Sequence, residues 1–238
     1  MEKNLKRLRE NDPILVTLKI SYNKLGSESV RHLANALREN NTLSTLDISC
    51  SALGSDSFQY LADLLRENNT LTTLVIFGNN LRQEGARHLA NALRVNSTLI
   101  NLDINYNNLG PDSVQYLTDV LRENNTLTTL NISYNKLGQE GAKHLVNALR
   151  VNNTLTTLDI SNNRSEPEDK KKLNYLIECN KIYQQLVKTG DVNTEDCKLR
   201  ELIGTLFMCL KYGKYGASML PRELRYEIAK QLVIELKQ

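Results

Sequence analysis

Apolar residues return along this chain every 28 positions. Leu15, Leu43, Leu71, Leu99, Leu127 and Leu155 form one column, and Leu18, Leu46, Leu74, Leu102, Leu130 and Leu158 a second. Ile20, Ile48, Ile76, Ile104, Ile132 and Ile160 form a third. Inside each unit the L-x-x-L-x-I core alternates apolar and polar positions, which predicts a short strand. The half that follows, as in QEGAKHLVNALRVN, has helical spacing: Ala142, Leu145, Ala148 and Leu149 fall on one stripe. An Asn-rich N-N-T then ends the helix and opens the next strand. No single unit can bury its apolar side, so a fixed period of this length predicts a solenoid with an extended surface.

Asn23, Asn79, Asn107, Asn135 and Asn163 follow the strands as a column. A side-chain amide both donates and accepts, so stacked asparagines can satisfy successive turns. Ser51 breaks this column and should weaken it locally. A longer period of 56 overlies the first. His32, His88 and His144 alternate with Tyr60 and Tyr116, and Asn35, Asn91 and Asn147 with Asp63 and Asp119, as if the array grew by copying pairs.

This in-register motif resembles the leucine-rich repeat family, in particular the longer-repeat type of ribonuclease inhibitor and NOD-like receptors. The resemblance implies an α/β solenoid, a horseshoe with parallel strands on the concave face and helices on the convex face. Six repeats span residues 14–180. Residues 1–13, with helically spaced Leu5 and Leu8, read as an N-terminal helical cap. The sixth repeat has Ser165 where Leu137 stood and a polar helix opening, EPEDKKK. From residue 181 the period stops, and residues 181–238 read as a small helical domain, with Thr194 as an N-cap and Gly213 and Gly216 marking a loop.

Charge narrows the function. The net charge is +3, but residues 1–163 hold 16 Lys+Arg and 16 Asp+Glu. A neutral solenoid lacks the basic stripe that nucleic acid needs. No N-terminal apolar run marks a secretory signal, and no stretch approaches the ~20 apolar residues of a membrane span. Cys50, Cys179, Cys197 and Cys209 have no framework spacing, which favours reduced thiols and a cytoplasmic setting. The five N-x-[ST] matches at the helix-to-strand turns, Asn40, Asn68, Asn96, Asn124 and Asn152, read as turn residues copied with the repeat rather than glycosylation sites.

Few residues suggest catalysis or a metal. The three histidines lie two repeats apart, too far to share an ion. Asp47, Asp103 and Asp159 recur on an open strand face with nothing to set one carboxylate apart from another. The Arg38, Arg66, Arg94, Arg122 and Arg150 column complements helix C-termini. The concave face is more informative. Val75 and Phe77 interrupt its small polar residues and are flanked by Tyr106 and Tyr134. With Asp47, Asp103, Asn105, Asn131 and Tyr22 they form the candidate partner-binding site, since aromatic anchors ringed by polar groups mark interface centres. The alternative is that Phe77 folds onto its own turn beside Gly78.

The tail segment MLPRELRYEIAKQLV resembles the opening helix of an F-box, and more closely the F-box-like (PRANC) motif closing some ankyrin-repeat proteins of viruses and intracellular bacteria. That resemblance implies a cullin–RING ubiquitin ligase adaptor bound through Leu220, Pro221, Leu224, Ile228 and Leu232. A full F-box has two more helices, so a simple solenoid cap is the competing reading. A ubiquitin ligase enzyme with Cys197 as nucleophile is a remote alternative, because no histidine lies near it to activate it. The expectation is therefore a non-enzymatic module without cofactor or metal. It would bind a protein, not nucleic acid or membrane, as a scaffold or as an effector of an intracellular bacterium acting in the host cytosol.

Overall fold

The computed structural model describes residues 1–189. The chain divides into two compact units, Met1–Leu173 and Asn174–Gln238. The N-terminal unit opens on helix α1 (Glu2–Arg9). Strands β1 (Thr17–Lys19), β2 (Thr45–Asp47), β3 (Thr73–Val75), β4 (Asn101–Asp103), β5 (Thr129–Asn131) and β6 (Thr157–Asp159) follow in turn. Between them lie α2 (Ser27–Arg38), α3 (Gly54–Glu67), α4 (Arg82–Leu93), α5 (Gly110–Leu121) and α6 (Gly138–Leu149). Helix α7 (Pro167–Thr189) runs unbroken past residue 180. The tail residues Thr194, Cys197, Cys209, Gly213, Gly216, Leu220, Pro221, Leu224, Ile228 and Leu232 lie outside the described residues.

The strands form one parallel sheet in sequence order. Register advances by one repeat at each step, so Leu18, Leu46, Leu74, Leu102, Leu130 and Leu158 stand side by side. The middle leucine of each strand points to the helices, and its two neighbours face the open side. Leu46, Leu74, Leu102 and Leu130 are all buried, as are the isoleucines from Ile48 to Ile132. Leu158, on the terminal strand, is only half-buried. At the other end Leu5 and Leu8 of α1 are buried. There the Arg7 guanidinium bonds the Asp12 carboxylate at 2.6 Å. That bond, then the Ile14 N–H, holds Asp12 below the usual carboxylate range.

From the second repeat on, a further alternation of 56-residue period, Ser57, Gly85, Ser113 and Gly141, lies where helices pack. A Cβ on Gly85 would lie 2.9 Å from Phe58 of the preceding helix, and one on Gly141 would lie 3.1 Å from Val114. Even repeats thus carry a bulky residue where the next helix carries glycine. The even helices place serine at the glycine position instead, and the buried Ser57 and Ser113 hydroxyls donate to the Leu53 and Leu109 carbonyls. Glycine inside a helix costs about 1 kcal/mol of propensity, and here it lets adjacent helices approach.

Two asparagine ladders tie the repeats together. After the strands, Asn107 Oδ1 accepts from the N–H groups of Asn79 and Leu81, and its Nδ2 donates to the Ile76 carbonyl. Asn79, Asn135 and Asn163 bond in the same way. Ser51 continues the ladder weakly. Its N–H donates to Asn79 Oδ1, and its hydroxyl is shared between the Ser49 carbonyl in its own turn at 3.1 Å and the Ile20 carbonyl one repeat back at 3.5 Å. The second ladder lies after the helices. Asn40, Asn68, Asn96, Asn124 and Asn152 donate to carbonyls of Leu8, Leu37, Leu65, Leu93 and Leu121, one repeat back. Their Oδ1 atoms cap the start of the next strand, as at Leu43 and Leu99. The glycosylation-like motifs are therefore structural, and their amides are already bonded.

Candidate functional site

Strand register fixes which side chains share the open face. One cross-strand row reads Lys19, Asp47, Val75, Asp103, Asn131, Asp159. Asp103 is engaged on both oxygens: Oδ1 accepts from Asn105 Nδ2 at 2.6 Å and Oδ2 from Asn131 Nδ2 at 3.0 Å. These three residues form one polar network across two repeats. Asp103 and Asn131 line a shallow groove of ≈ 310 Å³ with Val75 and Asp159.

The next outward-facing row contains Phe77 and Asn105. Ser49 and Ser133 hold the same alternating strand position as Phe77, yet they are buried. Ser133 turns its hydroxyl onto Asn131 Oδ1 at 2.8 Å. Phe77 is half-buried and meets Tyr106 edge-on, with ring centroids 6.3 Å apart. Tyr106 meets Tyr134 at 5.9 Å. The rings of Phe77, Tyr106 and Tyr134 thus form a continuous strip across three repeats.

Tyr106 and Tyr134 do not sit on the sheet itself. They belong to the turn beyond it, in a row that reads Tyr22, Cys50, Gly78, Tyr106, Tyr134, Asn162. Every member of that row has positive φ, from 49° to 67°. A second positive-φ row follows at Ala52, Asn80, Asn108, Lys136 and Arg164. The turn must fold the backbone this way to aim its N–H and C=O groups at the asparagine ladder. The left-handed region favours Gly and Asn and costs other residues roughly 1–2 kcal/mol. Tyrosine, lysine and arginine occupy it here and are exposed. The fold requires the left-handed backbone at these positions but not these particular side chains.

Together the two rows line a rim groove of ≈ 470 Å³ formed by Gly78, Asn80, Tyr106, Asn108, Tyr134, Lys136, Asn162 and Arg164. Six of these residues, Gly78, Asn80, Asn108, Lys136, Asn162 and Arg164, were not among the sequence candidates. Gly78 and Asn162, in the same column as two tyrosines, were the available signal of a left-handed turn. Tyr22 stands apart from the aromatic strip, separated by Cys50 and Gly78. The Cys50 thiol beside it pushes the Tyr22 phenol above its ordinary pKa, by hydrogen bonding first and by charge second.

The remaining candidates lie elsewhere. His32, His88 and His144 face Glu28, Glu84 and Glu140 one turn earlier on their own helices. Arg31 and Arg87 bond the same Glu28 and Glu84 and hold those carboxyls below their ordinary range. Arg38 and Arg94 reach Glu67 and Glu123 of the next repeat at 3.5 and 3.8 Å, exposed pairs of small energetic weight. Among the described residues no group of three or more His, Cys, Asp or Glu could hold a metal ion. No described helix is long and apolar enough to cross a membrane.

A leucine-rich-repeat family model matches residues 67–90, 95–117, 123–146 and 151–164. No curated protein matches the sequence. Among solved structures, actin-binding site 2 of leiomodin-1 is 16% identical with a TM-score of 0.56, over 80% of this chain and 94% of that one. The tropomodulin C-terminal domain of Caenorhabditis elegans is 18% identical with a TM-score of 0.53, over 79% and 98%. At such identities the likeness is one of fold. The fold is an α/β leucine-rich-repeat solenoid built on a six-stranded parallel sheet.

Proposed function

We propose that this chain is a non-catalytic protein-binding module. Its partner lies against Val75, Phe77, Asp103, Asn105, Tyr106, Asn131 and Tyr134, and Asp47 and Tyr22 extend the surface toward the first repeats. The aromatic strip carries the reading: Tyr106 and Tyr134 are 62% and 51% exposed and packed against each other. Aromatic anchors beside satisfied polar groups are what interface centres use. The reading places the protein in the cytoplasm as a scaffold or effector, in keeping with cysteines that have no framework spacing.

The structurally similar leiomodin-1 segment is named as an actin-binding site, so actin is the first protein to test. The experiment is affinity capture of purified actin and of eukaryotic lysate by the full chain. Phe77→Ala with Tyr106→Ala should remove the main captured protein, since each such anchor is worth about 2 kcal/mol or more. Arg94→Ala, on the helical side, should not. Capture that survives the double change but fails with Arg94→Ala would move the binding surface to the helices.

The F-box-like resemblance of MLPRELRYEIAKQLV supports a second reading, recruitment of a cullin–RING adaptor through Leu220, Pro221, Leu224, Ile228 and Leu232. Comparing the full chain with residues 1–180 in the same capture tests it. Adaptor peptides lost with the tail support recruitment, and their absence from both samples removes it.

A further inference from the structure

The two grooves carry opposite charge. The sheet groove holds Asp103 and Asp159 and no cation. The rim groove holds Lys136 and Arg164, three asparagine amides and no carboxylate. Among the described residues, neither Lys136 nor Arg164 has a carboxylate at ion-pair distance. Glu140 and Glu168, which follow them in sequence, face Lys143, His144 and Lys171 of their own helices. Lys136 Nζ instead donates to Asn108 Oδ1 at 2.9 Å, which stretches the ammonium along the groove over the neighbouring repeat. An ammonium has three donors, so two remain for a ligand.

A second observation is independent of charge. All eight residues lining the rim groove have positive φ. Asparagine or glycine would relieve the strain at each position, as at Gly78, Asn80, Asn108 and Asn162. The fold demands the conformation but not the tyrosine, lysine or arginine. Four of the eight side chains, Tyr106, Tyr134, Lys136 and Arg164, sit there at an energetic cost.

We propose that the rim groove seats an extended acidic segment of a partner polypeptide, its carboxylates on Lys136 and Arg164 and its apolar portions on the Tyr106 and Tyr134 rings. This rests on the reading of the chain as a protein-binding module. Neighbouring strands lie ~4.8 Å apart, so the four repeats lining the groove span roughly 15 Å. An extended chain rises ~3.3 Å per residue, so about five residues fill the groove. Two cations beside aromatic rings suit a short acidic peptide. A nucleic acid would need the longer basic stripe that the evenly charged solenoid lacks.

Fluorescence anisotropy of the full chain tests this, with a fluorescein-labelled nonapeptide of alternating Asp, Glu and Leu and its Asn/Gln counterpart. The acidic peptide should bind at least about tenfold more tightly, a difference of ~1.4 kcal/mol. Lys136→Glu with Arg164→Glu should abolish the preference, and Lys136→Arg should keep it. Circular dichroism controls for folding, and both positions are exposed. Equal binding of the two peptides, or no effect of charge reversal, overturns the proposal. So does an oligothymidine of equal charge binding as tightly, which would mark a general polyanion site. Self-association in sedimentation that charge reversal abolishes would assign the groove to a second copy and overturn it too. Val75→Lys, on the sheet groove, separates the two readings. If it abolishes partner capture while neither peptide binds, the module reading stands and the acidic-segment reading falls.

Discussion

The two edges of the solenoid are built alike and differ in what their repeats keep constant. Each turn rests on an asparagine ladder whose amides tie one repeat to the next. After the helices, Asn-x-Thr-Leu recurs without change at Asn40, Asn68, Asn96, Asn124 and Asn152. After the strands, the asparagine recurs but its neighbours do not: tyrosine, cysteine, glycine and asparagine share one row, and alanine, asparagine, lysine and arginine the next. The repeats act as six trials of one structural problem. Where all trials give the same residue, the fold dictates it. Where they diverge, and diverge toward residues the backbone disfavours, the fold does not dictate the residue. The invariant edge is scaffold, and the variable edge is the candidate surface.

The largest effects should come from the core and the ladders. Leu102→Ala removes a side chain buried by its own helix and both neighbouring repeats, at about 2–5 kcal/mol. A melting temperature within error of the parent would mean this column is not the core. The ladders should differ in kind. Asn107 bonds backbone groups of the preceding repeat at Asn79, Leu81 and Ile76. Asn96 bonds Thr98 and Leu99 within its own turn and only Leu65 across the junction. Asn107→Ala strands more inter-repeat groups, each worth about 1–3 kcal/mol. It should lower both the urea midpoint and the cooperativity of unfolding, because solenoid cooperativity lives in the junctions. Asn96→Ala should lower the midpoint at an unchanged slope. The same slope for both variants would erase the distinction.

A smaller loss is expected where helices meet. A Cβ at Gly85 would lie 2.6 Å from Leu81 and 2.9 Å from Phe58. Gly85→Ala should therefore destabilise by about 1–3 kcal/mol despite its better helix propensity. Pairing it with Phe58→Val should recover part of the loss, and no recovery would place the strain on Leu81 alone.

Much of this organisation was legible in the sequence, because periodicity reports burial directly. The Leu18-to-Leu158 column and the parallel register follow from one number, the repeat length. What was not legible depended on backbone conformation. Alternating residues along a strand announce their face, but Tyr106 and Tyr134 follow the strand into a left-handed turn. That turn takes them off the sheet and onto the rim. Ser49 and Ser133 look as solvent-facing as any strand serine, yet the same turn buries them. Lys136 and Arg164 resemble ordinary surface cations until the turn sets them beside the tyrosines. The ladder after the helices was visible as a repeated motif, but its bonds reach back about 31 residues and need coordinates to be seen.

The smallest predicted effect probes the boundary between scaffold and surface, and it should be a gain. At the first helical position Gly54, Gly110 and Gly138 have φ of 69°, 73° and 64°. Arg82 takes the same place with φ 53°. Its side chain gains only an exposed bond from Nε to Asn80 Oδ1 at 3.0 Å. A non-glycine residue in this region costs roughly 1–2 kcal/mol, and glycine's greater unfolded-state entropy returns up to ~1 kcal/mol of that. Arg82→Gly should therefore raise stability by several tenths of a kcal/mol to about 1 kcal/mol, read as a higher urea midpoint. Arg82 does not line the rim groove, though it bonds Asn80, which does. If Arg82→Gly stabilises the fold and leaves partner capture intact, this arginine is an incidental strain of the scaffold. If it stabilises the fold but weakens capture, the strained arginine belongs to the surface, and the binding edge extends past the rim toward α4. A lower midpoint would mean that the Asn80 bond outweighs backbone strain here, and that left-handed residues on this edge cannot be read as signs of use.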